Sequence, residues 1–219
     1  MTMNGAWADL APPWQAALTE AWTAYRRGTY PVGAVFVDSD AEIRYRGRNQ
    51  VYEEPTAGTS VLVGTRLAHA EMNVLVQSRP TDQLSAGILY TTLEPCAMCT
   101  GALVVSGVRR VHFGARDADV GATTLLRLHP HLASRQVALV GPDPVIQRIS
   151  LVLVGDWLLQ ENGPRWNAAI ALQRLALHRG EDETAVAVAE ALWREERLRA
   201  MAREEAPVDV MVNLILDRV

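Results

Sequence analysis

Two short segments of the chain carry residue types that suit metal chemistry. His69-Ala70-Glu71 and Pro95-Cys96-Ala97-Met98-Cys99 are each predicted to begin a helix. Two cysteines three residues apart lie on one face of a helix, so both thiolates can reach the same ion. With His69 they make three zinc-type ligands, and a tetrahedral ion with three protein ligands keeps its fourth position for water.

Glu71 stands two residues after the histidine and can touch that water without binding the metal. Zinc lowers the pKa of a bound water to about 7, which makes it a nucleophile at neutral pH. A carboxylate beside it can take the water proton and hand it to a reacting substrate. The sequence therefore predicts one Zn²⁺ per chain, held by His69, Cys96 and Cys99, with Glu71 as the catalytic proton carrier.

Each of these residues has a plainer interpretation when taken alone. A single histidine is usually a surface or core residue, and a C-x-x-C pair indicates metal or redox chemistry in general. A structural zinc site prefers four protein ligands, and the chain has no cysteine beyond these two. His129 and His131 form a weaker candidate for a second site.

The pattern of apolar residues predicts the elements that position these groups. Strands alternate with helices up to residue 160, which is typical of a layered α/β sheet. The predicted strands are 32–37, 42–49, 88–93, 108–113 and 136–140. The predicted helices are 14–27, 67–78, 95–106 and 144–160, then 166–178, 182–206 and 208–216 in the tail. Residues 50–65 are predicted to be a loop, and 121–135 to be irregular with one helical turn.

Charge and composition restrict the class of function. Net charge is −4, with 13 arginines against 14 acidic residues in 1–160, and 8 against 11 in 161–219. Neither part has the basic excess typical of nucleic-acid binding. Lysine is absent, which excludes a lysine Schiff base or a P-loop lysine. No apolar run reaches the roughly 18 residues of a membrane helix, and no secretory signal is recognisable, so we expect a cytoplasmic protein without membrane contact.

Both chemical segments, together with several flanking runs, resemble a known superfamily. The H-x-E and P-C-x-x-C pair is the signature of cytidine and nucleobase deaminases. Further runs are similar to the tRNA-adenosine and guanine deaminase branch of this cytidine/deoxycytidylate deaminase-like superfamily: Thr92–Cys99, Gly101-Ala102, Phe113–Asp117 and Gly121-Ala122. The resemblance covers roughly residues 10–160.

The resemblance implies a fold and a set of substrate contacts. It implies a three-layer α/β/α sandwich with a five-stranded mixed sheet, so that 1–160 is the deaminase domain and 161–219 a C-terminal helical extension. Asn49 would hold the edge of the base, and the backbones of Ala70 and Pro95 would meet the carbonyl or amine side of the ring. A homodimer is also implied.

Two departures from the family pattern favour a small substrate. Glu54-Pro55-Thr56-Ala57 is followed by 11 further residues, Gly58 to Ala68, before His69, and the tail lacks the basic ending expected of a tRNA binder. We therefore expect a hydrolase that deaminates a free nucleobase or nucleoside, an aminated purine or pyrimidine. The alternatives are a tRNA-specific adenosine deaminase and a catalytically silent zinc-binding scaffold; a silent scaffold would have no need of Glu71.

Overall fold

A single mixed sheet forms the centre of the molecule. The structure, a computed structural model, describes residues 6–55, 58–160 and 168–219. Strands β1 and β2 form an antiparallel hairpin, β1 also pairs antiparallel with β3, and β3, β4 and β5 run parallel in the order β2-β1-β3-β4-β5. The strands are Gly33–Val37 (β1), Ile43–Arg48 (β2), Ile88–Leu93 (β3), Arg110–Ala115 (β4) and Ala138–Val140 (β5). The five-stranded mixed sheet and the α/β class are confirmed.

Helices cover both faces of this sheet. A Cβ on Gly33 would lie 2.1 Å from the carbonyl oxygen of Ala17, and one on Gly47 would lie 2.4 Å from that of Ala70. Gly47 pairs with Ala34, the neighbour of Gly33, so the two glycines point to opposite faces. The three-layer arrangement follows. The helices are Pro12–Arg26 (α1), Ala70–Leu75 (α2), Ala97–Ser106 (α3), Leu125–Leu128 (α4), Pro130–Ser134 (α5), Pro144–Leu159 (α6), Ala168–Arg179 (α7), Glu183–Arg194 (α8), Arg197–Arg203 (α9) and Val208–Leu216 (α10).

The largest differences between predicted and observed elements lie in three places, and the other described ends differ by at most two residues. Helix α2 has six residues and not the twelve of 67–78, because the chain turns after Leu75. The segment 121–135 holds two short helices, α4 and α5. The predicted helix 182–206 is two helices, and Glu196 between them has φ 52°. A continuous helix turns about 100° per residue, so it would put the buried Leu192 and Leu198 on different faces.

The tail helices share the core of the sheet. Helix α6 is buried on nearly every side, and α8 and α10 pack against it. Leu192, Leu198, Met211 and Ile215 are fully buried members of the same apolar cluster as strands β1 and β3. The proposed division at residue 160 precedes residues 161–167, which lie outside the described residues. No helix within the described ranges is long and apolar enough to cross a membrane.

A buried carboxyl group lies between α1 and α6. The Tyr25 hydroxyl donates a hydrogen bond to Asp156 Oδ1, and Gln160 Nε2 donates to the same oxygen at 3.1 Å. Asp156 Oδ2 is buried without a hydrogen-bond partner among the described residues. Burial raises the pKa of Asp156 above its usual value, and this outweighs the opposing hydrogen bonds.

We predict that Asp156→Asn makes the free energy of unfolding less dependent on pH. Because the folded-state pKa of Asp156 is raised, the native protein loses stability as the pH rises from the unfolded value through the folded one. The variant lacks this loss, so the stability difference, variant minus wild type, should grow between pH 4 and pH 8. Urea unfolding at several pH values measures it, and a difference that is flat or falls with pH would contradict the assignment.

Candidate active site

The candidate zinc ligands stand at the starts of two neighbouring helices. His69 has extended backbone geometry and is the N-cap of α2, and Cys96 is the N-cap of α3. Cys96 also forms a bridge with Gly121, which fixes it beside the end of β4. The predicted position of these ligands at helix starts is confirmed, although the helices begin at Ala70 and Ala97 and not at 67 and 95. The helix termini bring residues 27 positions apart in the sequence into one site.

The three ligand atoms have the spacing of a zinc tetrahedron. His69 Nδ1 lies 3.6 Å from each of Cys96 Sγ and Cys99 Sγ, and all three atoms lie within 4.8 Å of one another. Zn–S bonds of about 2.3 Å and a Zn–N bond of about 2.0–2.1 Å require a nitrogen–sulfur separation of about 3.6 Å in a tetrahedron. The donor set and its geometry therefore fit Zn²⁺, with the fourth position open.

The electrostatics of the cysteine pair favour a thiolate. The pKa of Cys96 is lowered to about 4, first because Cys99 donates a hydrogen bond to its sulfur and then because of His69. The pKa of Cys99 is raised, because it lies beside Cys96 and is buried. A thiolate is the form that binds a metal ion. No other group of three or more His, Cys, Asp and Glu with metal-ligand spacing occurs among the described residues, so His129 and His131, which are both exposed, have no third ligand of these types there.

Glu71 is a buried acid held beside the ligands. Its Oε2 lies 3.4 Å from Cys99 Sγ, and its Oε1 lies 3.0 Å from the hydroxyl of Thr91 on β3. Burial raises the pKa of Glu71, while His69 opposes the shift. A carboxyl group with a raised pKa accepts and releases a proton nearer to neutral pH, as a proton carrier requires.

The Thr91 hydroxyl suits both protonation states of this acid. It lies 3.1 Å from the carbonyl oxygen of Leu93 as well as 3.0 Å from Glu71. A hydroxyl has one proton to donate. It can donate to the ionised Glu71, or donate to Leu93 while accepting a hydrogen bond from the protonated Glu71. No local sequence pattern pointed to Thr91 beyond its place in a predicted buried strand.

We predict that Thr91→Val lowers kcat by about 10–100-fold, because Val keeps the shape and removes this hydrogen bond. The bond from Thr91 lowers the pKa of Glu71, so its loss should also move the acidic limb of the pH–rate profile to higher pH. Thr91→Ser keeps the hydroxyl and should stay within about threefold of wild type. Equal profiles for Val and wild type would contradict the role.

A cavity of about 730 Å³ opens above the ligands. Its floor includes His69, Glu71 and Cys96. Its wall includes Trp157 of α6, Tyr30 and Tyr52. The rings of Trp157 and Tyr30 pack edge to face with centroids 5.0 Å apart. The rings of Trp157 and Tyr52 are nearly parallel, with centroids 6.1 Å apart. Such a volume lies in the range of small-molecule sites, and aromatic walls suit a flat ring.

Two of the three expected substrate contacts line this cavity. Asn49 is buried there; its Oδ1 accepts hydrogen bonds from Thr29 Oγ1 at 2.6 Å and from the Val51 backbone at 3.1 Å. Asn49 Nδ2 has no partner among the described residues. Ala70 also lines the cavity, and the first backbone N–H of a helix has no partner within the helix. Pro95 does not line it, and its carbonyl accepts hydrogen bonds from Ala122 N and Thr100 Oγ1.

The inserted loop and the tail both reach the cavity. The tail contributes Arg174 of α7, whose Nε lies 2.8 Å from Asp119. Thr56 and Ala57 of the loop lie outside the described residues. The lining residues of the predicted loop 50–65 are Val51, Tyr52, Glu53, Glu54, Pro55 and Gly64, and those of the inserted segment Gly58 to Ala68 are Gly64 and Arg66.

Asn73 ties this loop to the zinc-ligand helix. Its Oδ1 accepts a hydrogen bond from Leu62 N at 2.7 Å, and its Nδ2 lies 3.0 Å from the carbonyl oxygens of both Leu62 and Arg48. Its backbone N–H bonds to the carbonyl of His69. Sequence reasoning missed this residue. The only signal was an asparagine inside a predicted helix, where it is a poor helix former.

Comparisons with known proteins place the site in a family. The model of the cytidine and deoxycytidylate deaminase zinc-binding region matches residues 13–115. The chain is 40% identical over 116 residues to the tRNA-specific adenosine deaminase of Bacillus subtilis, covering 51% of this chain and 66% of that protein. It is 32% identical over 114 residues to the cytosine deaminase of Candida albicans, covering 51% of this chain and 70% of that protein.

Other similarities extend over less of the relative or concern the fold alone. The tRNA(Ile)-lysidine synthase of Thermus thermophilus is 40% identical over 117 residues, which cover 52% of this chain and 20% of that protein, so the chain spans about one fifth of its length. A protein solved in complex with 2,6-diaminopurine superposes with a TM-score of 0.51 at 24% identity, over 73% of this chain and 88% of that one, and shares the fold.

The three candidate ligands and Glu71 all fall inside the region that the family model matches. The cytosine deaminase relative is covered over more than two thirds of its length. On these grounds, the chain belongs to the cytidine and deoxycytidylate deaminase zinc-binding family.

Proposed function

We propose that this chain is a zinc-dependent hydrolytic deaminase of a free nucleobase or nucleoside. The reaction replaces a ring C–NH₂ group by C=O, with water as the source of the oxygen and ammonia as the second product. The observation that carries the choice of substrate is the cavity of about 730 Å³ over the ligands, which the inserted loop and Arg174 of the tail both enclose. We also propose one zinc ion per chain and a homodimer.

The residues of the chain supply proton transfer and binding. When bound, zinc lowers the pKa of water so that it attacks carbon at neutral pH. Glu71 takes a proton from the attacking water and delivers it to the ring nitrogen beside that carbon. It then passes the second proton to the departing amine, so that the group leaves as ammonia. Thr91 holds the carboxyl group in place at 3.0 Å through both transfers.

The neighbouring polar groups would orient the ring. Asn49 Nδ2 offers a donor to a ring acceptor, while Thr29 and Val51 fix its amide plane. The backbone N–H of Ala70 offers a second donor close to the reacting carbon. Buried donors in fixed positions discriminate strongly against rings that cannot pair with them. The backbone contact of Pro95 stays a prediction, since its carbonyl already accepts two hydrogen bonds.

The second candidate is a deaminase that acts on tRNA adenosine. Its support is the 40% identity to the Bacillus subtilis relative of that name. Against it stand the net charge of −4 and the acidic excess of residues 161–219. A tRNA-bound adenosine would also have to pass the inserted loop to reach the ligands.

Ammonia release by the zinc-loaded protein tests these functions. The panel is free bases, nucleosides, nucleotides and unmodified tRNA, with Glu71→Ala as the control. Activity on a small ring that vanishes in the control would support the proposal. Activity on tRNA alone would overturn it in favour of the second candidate. Zinc-loaded protein that is inactive on the whole panel would favour a silent scaffold.

A further inference from the structure

Asp117 is a buried carboxylate that lines the cavity and has no part in the proton transfers described above. It follows β4, and its side chain is 3% exposed. Its Oδ1 accepts hydrogen bonds from the backbone N–H groups of Asp119 at 3.0 Å and Val120 at 3.1 Å. Its Oδ2 accepts none from the described residues, yet it is not sealed off from solvent. One oxygen therefore fixes the carboxylate, and the other is open to the cavity.

Residues of the C-terminal extension lie next to this carboxylate. His178 of α7 is buried, and its Nε2 lies 4.0 Å from Asp117 Oδ1. Arg174, one turn earlier on the same face, bonds to Asp119 at 2.8 Å. The tail thus contacts both ends of the Asp117–Asp119 turn, which gives the carboxylate a fixed position.

The charges of the cavity point to the kind of group that Asp117 meets. Among the described lining residues, five are acidic and two are arginines. Arg174 is already paired with Asp119, and Arg66 is exposed at the rim. Among the acids, Glu53 pairs with Arg48 and Glu94 with Arg116, so the negative charge of the lining comes from Glu54, Glu71 and Asp117. A phosphate group next to Asp117 would be repelled, whereas an N–H group would find a buried acceptor there.

We propose that Asp117 is a specificity-determining residue, whose free oxygen accepts a hydrogen bond from a second N–H group of an uncharged substrate ring. The inference rests on the proposed function and narrows it to bases or nucleosides that carry such a donor besides the reacting amine. Asn49 Nδ2 then donates a hydrogen bond to a ring acceptor, and Asp117 accepts one from a ring donor. The cavity therefore recognises both kinds of hydrogen-bonding group on the ring. Phosphate esters of the same rings bind poorly.

Calorimetric binding to zinc-loaded Glu71→Ala protein, which does not turn the ligand over, tests the contact. The probes are adenosine and 2-aminoadenosine. Their N9 carries the sugar, so neither has a ring N–H group, and they differ only in the second amino group. We expect 2-aminoadenosine to bind at least tenfold more tightly. Asp117→Asn in this background keeps an oxygen for the two backbone N–H groups but presents an amide NH₂ to the cavity. It should reduce the preference to threefold or less.

Asp217→Asn is the control for the loss of one negative charge, because Asp217 is exposed on the tail and does not line the cavity. It should keep the preference. An equal loss in both variants, or none in Asp117→Asn, overturns the inference. Adenosine should also bind at least tenfold better than its 5′-monophosphate, and the reverse order overturns it too. If wild-type protein deaminates small rings while Asp117→Asn keeps the preference, this inference fails alone; if no small ring binds or reacts, the proposed function fails with it.

Discussion

Glu71→Gln should lower kcat by about 10²–10⁴-fold on the small ring that the ammonia assay identifies, while the zinc content stays at the wild-type level. Glutamine keeps the shape of the side chain, and its amide can still pair with the Thr91 hydroxyl 3.0 Å away. It cannot accept and release a proton at neutral pH. Among the described residues, Glu71 is the acid that contacts Cys99, and it is buried there.

Two measurements separate this chemical loss from a structural one. Zinc content by mass spectrometry and ring binding by calorimetry should both match wild type, because neither needs the proton transfer. Activity within tenfold of wild type would show that another group carries the protons. Loss of zinc together with activity would show that Glu71 supports the ligands and would leave its chemical role unproven.

Cys99→Ser should abolish both zinc retention and activity. Cys99 is completely buried at the first turn of α3, and its sulfur lies 3.6 Å from His69 Nδ1. A serine oxygen is a weak zinc ligand, so two good ligands would remain, too few for a stable tetrahedral site. The melting temperature should fall as well, because an ion that binds the folded state alone stabilises it.

Thr100→Ser is the neighbouring control in helix α3. It keeps the hydroxyl that donates a hydrogen bond to the carbonyl of Pro95, just before the helix. It should keep its zinc. Wild-type protein treated with a chelator should lose activity and regain it when one equivalent of zinc per chain is added. Full activity of the chelated protein would contradict a zinc-dependent reaction.

The spacing of the ligands predicted the centre of the site because chemistry constrains it tightly. Three ligands and an acid must meet within a few ångströms, and helix starts after strands are the usual place for such groups. His69, Glu71, Cys96 and Cys99 meet as expected. The sheet followed from the alternation of strands and helices, with the ends of elements displaced by a few residues.

The sequence did not reveal the residues that act through tertiary contact. Asn73 fixes the inserted loop by bonds to Leu62, eleven residues away, and Thr91 of β3 contacts Glu71 of helix α2. Neither contact leaves a local pattern. The break at Glu196 arises because Leu192 and Leu198 must both be buried in one core. The local spacing of apolar residues does not show that requirement.

The shared core has a consequence for how this protein is made. Helix α6 is apolar on nearly all sides, and part of that surface is covered by α8 and α10, which are synthesised after it. During translation the sheet and α6 emerge first, and an uncovered apolar helix on a nascent chain is prone to aggregate or to recruit a chaperone. Variants that stop after residue 160 should therefore accumulate poorly in cells, even with every residue of the metal site present.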